Sequence, residues 1–265
     1  MHMTRVKRSQ GGFSLLELII VMSILTIVMA GIFGMMDRAQ KRYSVEDTKM
    51  DLQQESRQFL DQIVRDLHQA GFPNTRMYDT APAAGNNSSK VAVGLVRVSF
   101  TDIIFEGDVD SDGLIDVVRY QVVPDNGLTC PCTMRRSQVN KVDNTAPADQ
   151  PTNFSAEVQR VINTSGAGNS PLTITGNTFG VANDTLYASY KTQPVFQYYD
   201  QNGIVITGIP ATLGTAGTGM DPLMLARIRS VRVTINTLAS QVDLDARRMP
   251  AVSMTSSARI SNNRR

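Results

Sequence analysis

Four aspartates fall within nine residues in the segment Asp108-Val109-Asp110-Ser111-Asp112-Gly113-Leu114-Ile115-Asp116, the one stretch of this chain with ligand spacing. Asp108, Asp110 and Asp112 take alternate positions. Gly113 permits a sharp turn, Leu114 offers its carbonyl and Asp116 adds a carboxylate. Hard oxygen ligands arranged in this way suit Ca2+, in a structural rather than a catalytic role. Turns also use Asp, Ser and Gly for local hydrogen bonding. A turn needs only one or two acids, whereas four like charges repel one another. A Ca2+ loop and a plain hairpin turn both remain open.

The segment resembles the D-x-D-x-D-G start of an EF-hand loop. It departs at the twelfth position, where Arg119 stands instead of a bidentate glutamate, and strand-like sequence flanks it. Cys130 and Cys132 form a second candidate pair, separated by Pro131. Residues two apart on a strand share a side, with Cα atoms ~6.6 Å apart, the upper limit for a disulfide. A strained local disulfide and two free thiols are both compatible with this spacing. A zinc site would need two further ligands, and past residue 12 the only histidine is His68. His68 reads as an exposed helical residue. No nucleophile elbow, nucleotide loop or histidine–metal motif is present. The chain therefore reads as a non-enzyme that requires no cofactor.

The third group is N-terminal. Arg5, Lys7 and Arg8 precede Gly11-Gly12-Phe13-Ser14-Leu15-Leu16-Glu17, and no charge follows from Leu18 to Met36. Phe13 to Met36 as a helix extends roughly 36 Å, enough for a bilayer core of ~30 Å. The basic residues keep the N-terminus cytoplasmic. Glu17 is the exception, since a carboxylate near lipid costs a few kcal/mol and normally has a partner. A secretory signal cut after Val28-Met29-Ala30 and a plain signal anchor are the competing readings. Neither calls for an acid at the mouth of the apolar run.

These residues resemble the prepilin signal of type IV pilins and type II secretion pseudopilins. The resemblance implies peptidase cleavage between Gly12 and Phe13, N-methylation of Phe13, and pairing of the new ammonium with Glu17 during assembly. It is close from Gly11 to about Met36 and architectural beyond Pro73. The stretch Gln69-Ala70-Gly71-Phe72, after Asp66-Leu67, resembles the helix end of PilW-type minor pilins.

The elements that must carry these groups follow from pattern. Asp37 to Gln69 lacks proline and glycine, and Val45, Leu52, Phe59, Leu60, Ile63, Val64 and Leu67 recur on one helix face. Glu46, Asp47, Lys49, Asp51, Glu55, Arg57, Asp61, Arg65 and Asp66 fill the remaining faces. Gly71 and Pro73 end the helix. Gly31 and Gly34 are weak points for a bend. Tyr78 to Lys90 reads as a loop, Val91 to Phe105 as strand, and Val117 to Val123 as strand. Val139 to Asn183 reads as a surface excursion with an apolar stretch at Val158 to Ile162. Pro194 to Tyr199 and Ile204 to Thr207 flank an Asn202-Gly203 hairpin turn. Pro210 to Asp221 reads as a loop. Ile228 to Leu238 and Met249 to Ile260 read as strands.

The expected fold class is α+β, a long N-terminal helix packed on an antiparallel sheet with long loops. The expected divisions are a leader at 1–12, a membrane and fibre-core helix at 13–36, an amphipathic helix at 37–72 and a β-rich head at 73–265. The formal charge is +2, and Arg5, Lys7 and Arg8 supply three positive charges, so the rest sums to about −1. No basic excess remains for nucleic acid. The pairs Arg135-Arg136, Arg247-Arg248 and Arg264-Arg265 read as solvated surface. The lack of tryptophan argues against a carbohydrate-stacking surface.

The resemblance implies a minor pilin, a structural subunit for assembly or initiation of a type IV pilus (fimbrium). Its alternatives are a type II secretion pseudopilin and a pilus-tip adhesin whose 139–183 excursion contacts a surface or DNA, the near-neutral charge weighing mildly against DNA. Implied partners are other major and minor pilins, the prepilin peptidase and the inner-membrane assembly platform. The implied location is a single-pass inner-membrane protein with a periplasmic head, later part of the fibre.

Overall fold

The computed structural model describes residues 14–73, 89–124, 131–143, 145–163, 187–210, 222–243 and 248–262. The chain divides into two compact units, residues 1–46 and 47–265. Helix α1 runs without a break over Leu15–Gln69. Neither Gly31 nor Gly34 interrupts it, and among the described residues no other part of the chain comes within 4 Å of where a Cβ would stand at either glycine.

In the first unit the apolar residues of α1 face outward on every side. Leu15, Ile19, Met22, Ile27 and Phe33 are all more than half exposed. This part of α1 is long and apolar enough to cross a membrane.

The second unit contains the end of α1 and an eight-stranded antiparallel sheet, an α+β arrangement. The strands are β1 (Leu95–Val98), β2 (Asp102–Gly107), β3 (Asp116–Pro124), β4 (Cys132–Asn140), β5 (Ser155–Val161), β6 (Phe196–Tyr199), β7 (Ser230–Leu238) and β8 (Ala251–Arg259). Their order is β1-β2-β3-β4-β5-β7-β6, with β8 also paired to β7. β7 and β8 pair along their full length, from Ser230 opposite Arg259 to Leu238 opposite Ala251. The Phe196 N–H donates to the Phe100 carbonyl at 3.0 Å, so the sheet curls and the start of β6 meets the β1–β2 turn.

The helix face expected from periodicity is the one that is buried. Phe59, Leu60, Ile63, Leu67 and Ala70 join Leu95, Phe105, Tyr120, Met134, Val158 and Ile235 in one core. Phe59 meets Tyr120 edge to face at 5.8 Å between ring centroids. Each large apolar side chain fully buried in this way contributes ~1.5–3 kcal/mol.

Three readings of the sequence change. The run from Val91 to Phe105 is two strands, because Ser99, Phe100 and Thr101 turn the chain. The Ser99 N–H donates to the Asp102 carbonyl at 2.7 Å, and the Thr101 N–H donates to the Ser99 hydroxyl at 3.2 Å. The segment from Val139 starts inside β4 and also contains β5, which pairs with both β4 and β7. Its part at 164–183 lies outside the described residues, as do 74–88 and 211–221. Arg136 is the third change: it is not solvated surface but a partly buried guanidinium that pairs with the buried Asp66 and joins α1 to the sheet.

The helix ends where Gly71 takes a φ of 78°, a region that side-chain-bearing L residues avoid. Its N–H donates to the Glu106 carbonyl at 2.8 Å. A Cβ at Gly71 would stand 2.7 Å from the Asn262 carbonyl oxygen. Gly71→Ala is therefore expected to destabilise the protein by ~1–2 kcal/mol from the backbone alone. That corresponds to roughly 2–8 °C in the thermal midpoint of a domain this size. An unchanged midpoint would show that the helix end is not held by this contact.

Candidate functional site

Two regions carry the residues singled out above, one in each unit. In the first, Glu17 lies in the first turn of α1 and is exposed. The helix N-terminus favours a negative charge there. Gly12 and Phe13, the cleavage and methylation residues, lie outside the described residues.

In the second unit the acidic segment joins the end of β2 to the start of β3, where Gly107 pairs with Asp116. Asp108, Asp110 and Asp116 each bring one carboxylate oxygen within 4.8 Å of the others. Local hydrogen bonds shape the loop. The Gly113 N–H donates to Asp108 Oδ2 at 3.2 Å and the Val109 N–H to Asp116 Oδ2 at 3.3 Å. Ser111 and Gly113 both take positive φ, 63° and 86°, which gives the tight bend expected at Gly113.

Asp112 stands outside this triplet. Its Oδ1 accepts the Leu114 N–H at 2.7 Å, and its own N–H donates to Asp110 Oδ1 at 3.2 Å. Leu114 itself is half exposed. Gln138 on β4 enters the site in a way the sequence did not signal. Its Nε2 donates to Asp110 Oδ2 at 3.1 Å and to Asp116 Oδ2 at 3.0 Å. Burial, and next the charge of Asp110, raise the Asp116 pKa to about 6; the charge of Asp112 adds to this. The group can hold positive charge, and it contains no nucleophile–base pair.

A hydrogen-bonded chain leads from this loop to α1. Gln138 Oε1 accepts from Arg136 at 2.8 Å. Arg136 donates to Asp66 Oδ2 at 2.9 Å and to the Tyr120 hydroxyl at 3.0 Å. The Tyr120 hydroxyl donates to the same Asp66 oxygen at 2.6 Å. Burial, and then the Asp66 charge, raise the Tyr120 pKa, so its proton stays in place. The Arg136 guanidinium also lies 5.8 Å from the centre of the Tyr120 ring. A second buried pair sits nearby. Lys141 Nζ donates to Glu106 Oε2 at 2.7 Å and to the Val91 carbonyl at 2.8 Å. The Val93 N–H donates to the same Glu106 oxygen at 2.8 Å.

Cys132 opens β4, is fully buried and is disulfide-bonded. Cys130 lies outside the described residues. His68 is exposed on α1.

The prokaryotic N-terminal methylation motif matches residues 7–33. No curated protein and no solved structure matches the chain. Together the motif and the apolar half of α1 support a membrane-anchored, single-pass protein of the type IV pilin-like or pseudopilin type.

Proposed function

We propose that the chain is a minor subunit of a type IV pilus, a structural protein that helps to initiate or cap fibre assembly. One observation carries this reading. The methylation motif at 7–33 continues without interruption into an exposed apolar helix with a single acid, Glu17, in its first turn. A helix that is apolar on every side needs either lipid or other such helices around it. A subunit that moves from membrane to fibre exchanges the first environment for the second. The helix end Gln69-Ala70-Gly71-Phe72 resembles that of PilW-type minor pilins and supports the minor-subunit role. The partners under this reading are the prepilin peptidase, other major and minor pilins and the inner-membrane assembly platform. The N-terminus is cytoplasmic and the β-sheet unit periplasmic until the subunit enters the fibre.

Processing is the first test. Mass analysis of the mature N-terminus is expected to find Phe13 as the first residue, carrying one methyl group. A mature start near Gly31 would identify an ordinary secretory signal and end the pilin reading. Location is the second test. Antibody labelling is expected to find the protein in sheared surface fibres. Retention in the envelope, with loss of protein secretion on deletion, would assign it to a secretion pseudopilus instead.

A further inference from the structure

The geometry points to a structural Ca2+ site formed by Asp108, Asp110 and Asp116 at the β2–β3 connection, bracing the junction between the sheet and the end of α1. The inference is independent of the fibre to which the protein belongs.

Three observations support it. The first is distance. Ca2+ binds oxygen at ~2.3–2.6 Å, so two oxygens on one ion are at most about 5 Å apart. The three carboxylates meet that limit pairwise, at 4.8 Å or less. Mg2+ binds at ~2.0–2.1 Å and requires closer, octahedral oxygens. The second is an orphaned atom. Asp108, a member of the triplet, is only 8% exposed, and its Oδ1 is buried with no hydrogen-bond partner among the described residues. A buried carboxylate oxygen left without a partner is costly, and a cation is the usual remedy. The third is charge. Among the described residues no Lys or Arg forms an ion pair with any of the three acids. The neutral amide of Gln138 bridges two of them.

The site lies where bracing has an effect. The Asp108 N–H donates to the Phe72 carbonyl at 3.0 Å, just past the end of α1. Asp116 begins β3, and Gln138 links to Arg136 and Asp66. An ion held by Asp108 and Asp116 therefore fixes both ends of the connection beside the helix end. Backbone carbonyls and water would complete the six to eight oxygens that Ca2+ takes.

The test uses the full-length chain in detergent, stripped with chelator and titrated with CaCl2 by calorimetry. One ion per chain is expected, with a dissociation constant of about 1 mM or below, the range of extracellular Ca2+ modules. Asp110 is exposed, so Asp110→Asn is expected to fold normally, as circular dichroism would show, and to weaken binding about tenfold or more. Asp112→Asn removes the same charge from outside the triplet and is expected to change affinity less than about threefold. MgCl2 is expected to bind at least about tenfold more weakly. Absence of saturable binding up to about 10 mM Ca2+ would overturn the inference. So would equal losses in the two variants, or equal affinity for Mg2+, because either would reveal only a diffuse acidic surface.

Discussion

Replacing Glu17 with alanine is expected to leave cleavage after Gly12 intact and to remove the protein from fibres almost completely. Glu17 lies in the first turn of a helix otherwise free of charge from Leu18 to Met36. Cleavage would create an ammonium on Phe13, four residues away. At ~4 Å the two charges attract by about 4 kcal/mol at an effective dielectric of 20, against about 1 kcal/mol in water. Even a third of the larger value, ~1.4 kcal/mol, changes an equilibrium tenfold. The measurement is quantitative immunoblotting of sheared fibres against whole cells, with N-terminal mass as the processing control. Glu17→Gln keeps the shape and loses the charge, and should fail as badly as alanine. Fibre incorporation at the wild-type level in either variant would show that the apolar helix alone suffices.

Arg136→Met should be strongly destabilising in the sheet unit. It strips the cation from Asp66, which is only 7% exposed, and leaves the Tyr120 hydroxyl as its remaining side-chain partner. Breaking one side of a buried ion pair costs ~3–5 kcal/mol, because the other charge stays in a low-dielectric site. For a domain of this size that is roughly 6–20 °C in the unfolding midpoint. The double variant Asp66→Leu, Arg136→Met removes both charges and should recover more than half of the loss. Thermal unfolding of the full-length protein in detergent reads both values. A loss below about 1 kcal/mol for the single change would mean that the pair behaves as a solvated surface contact.

The pair also shows where sequence pattern stopped being informative. The buried face of α1 was legible because Leu52, Phe59, Leu60, Ile63 and Leu67 repeat at helical spacing over several turns. β7 was legible because Val231, Val233 and Ile235 alternate with exposed or half-exposed neighbours along most of its length. β2 was not separable from β1, since all six of its residues are buried and no alternation marks a face. β4 escaped notice for the opposite reason. Arg135, Arg136, Ser137 and Gln138 look like surface sequence. Arg136 and Gln138 belong in the sheet because their partners are Asp66, Asp110 and Asp116. Those partners lie 70, 28 and 22 residues away in the chain, beyond any local pattern. The acidic loop was legible as a cluster because its members are sequence neighbours. Which of the four acids converge, and that Gln138 bridges two of them, depended on the register of β3 against β4.

The way α1 is seated also sets an order in time. Leu52 packs with Ala239 and Val252, and Gly71 lies against the backbone of Asn262. The helix therefore leaves the ribosome well before the residues that close over it. Some 190 residues must be made in between, roughly 10–40 s at bacterial rates of synthesis. Throughout that interval the face formed by Leu52, Phe59, Ile63 and Leu67 lacks its final cover. Residues of β1 to β3 are made early enough to begin covering Phe59, Ile63 and Leu67, whereas Leu52 waits for Ala239 and Val252.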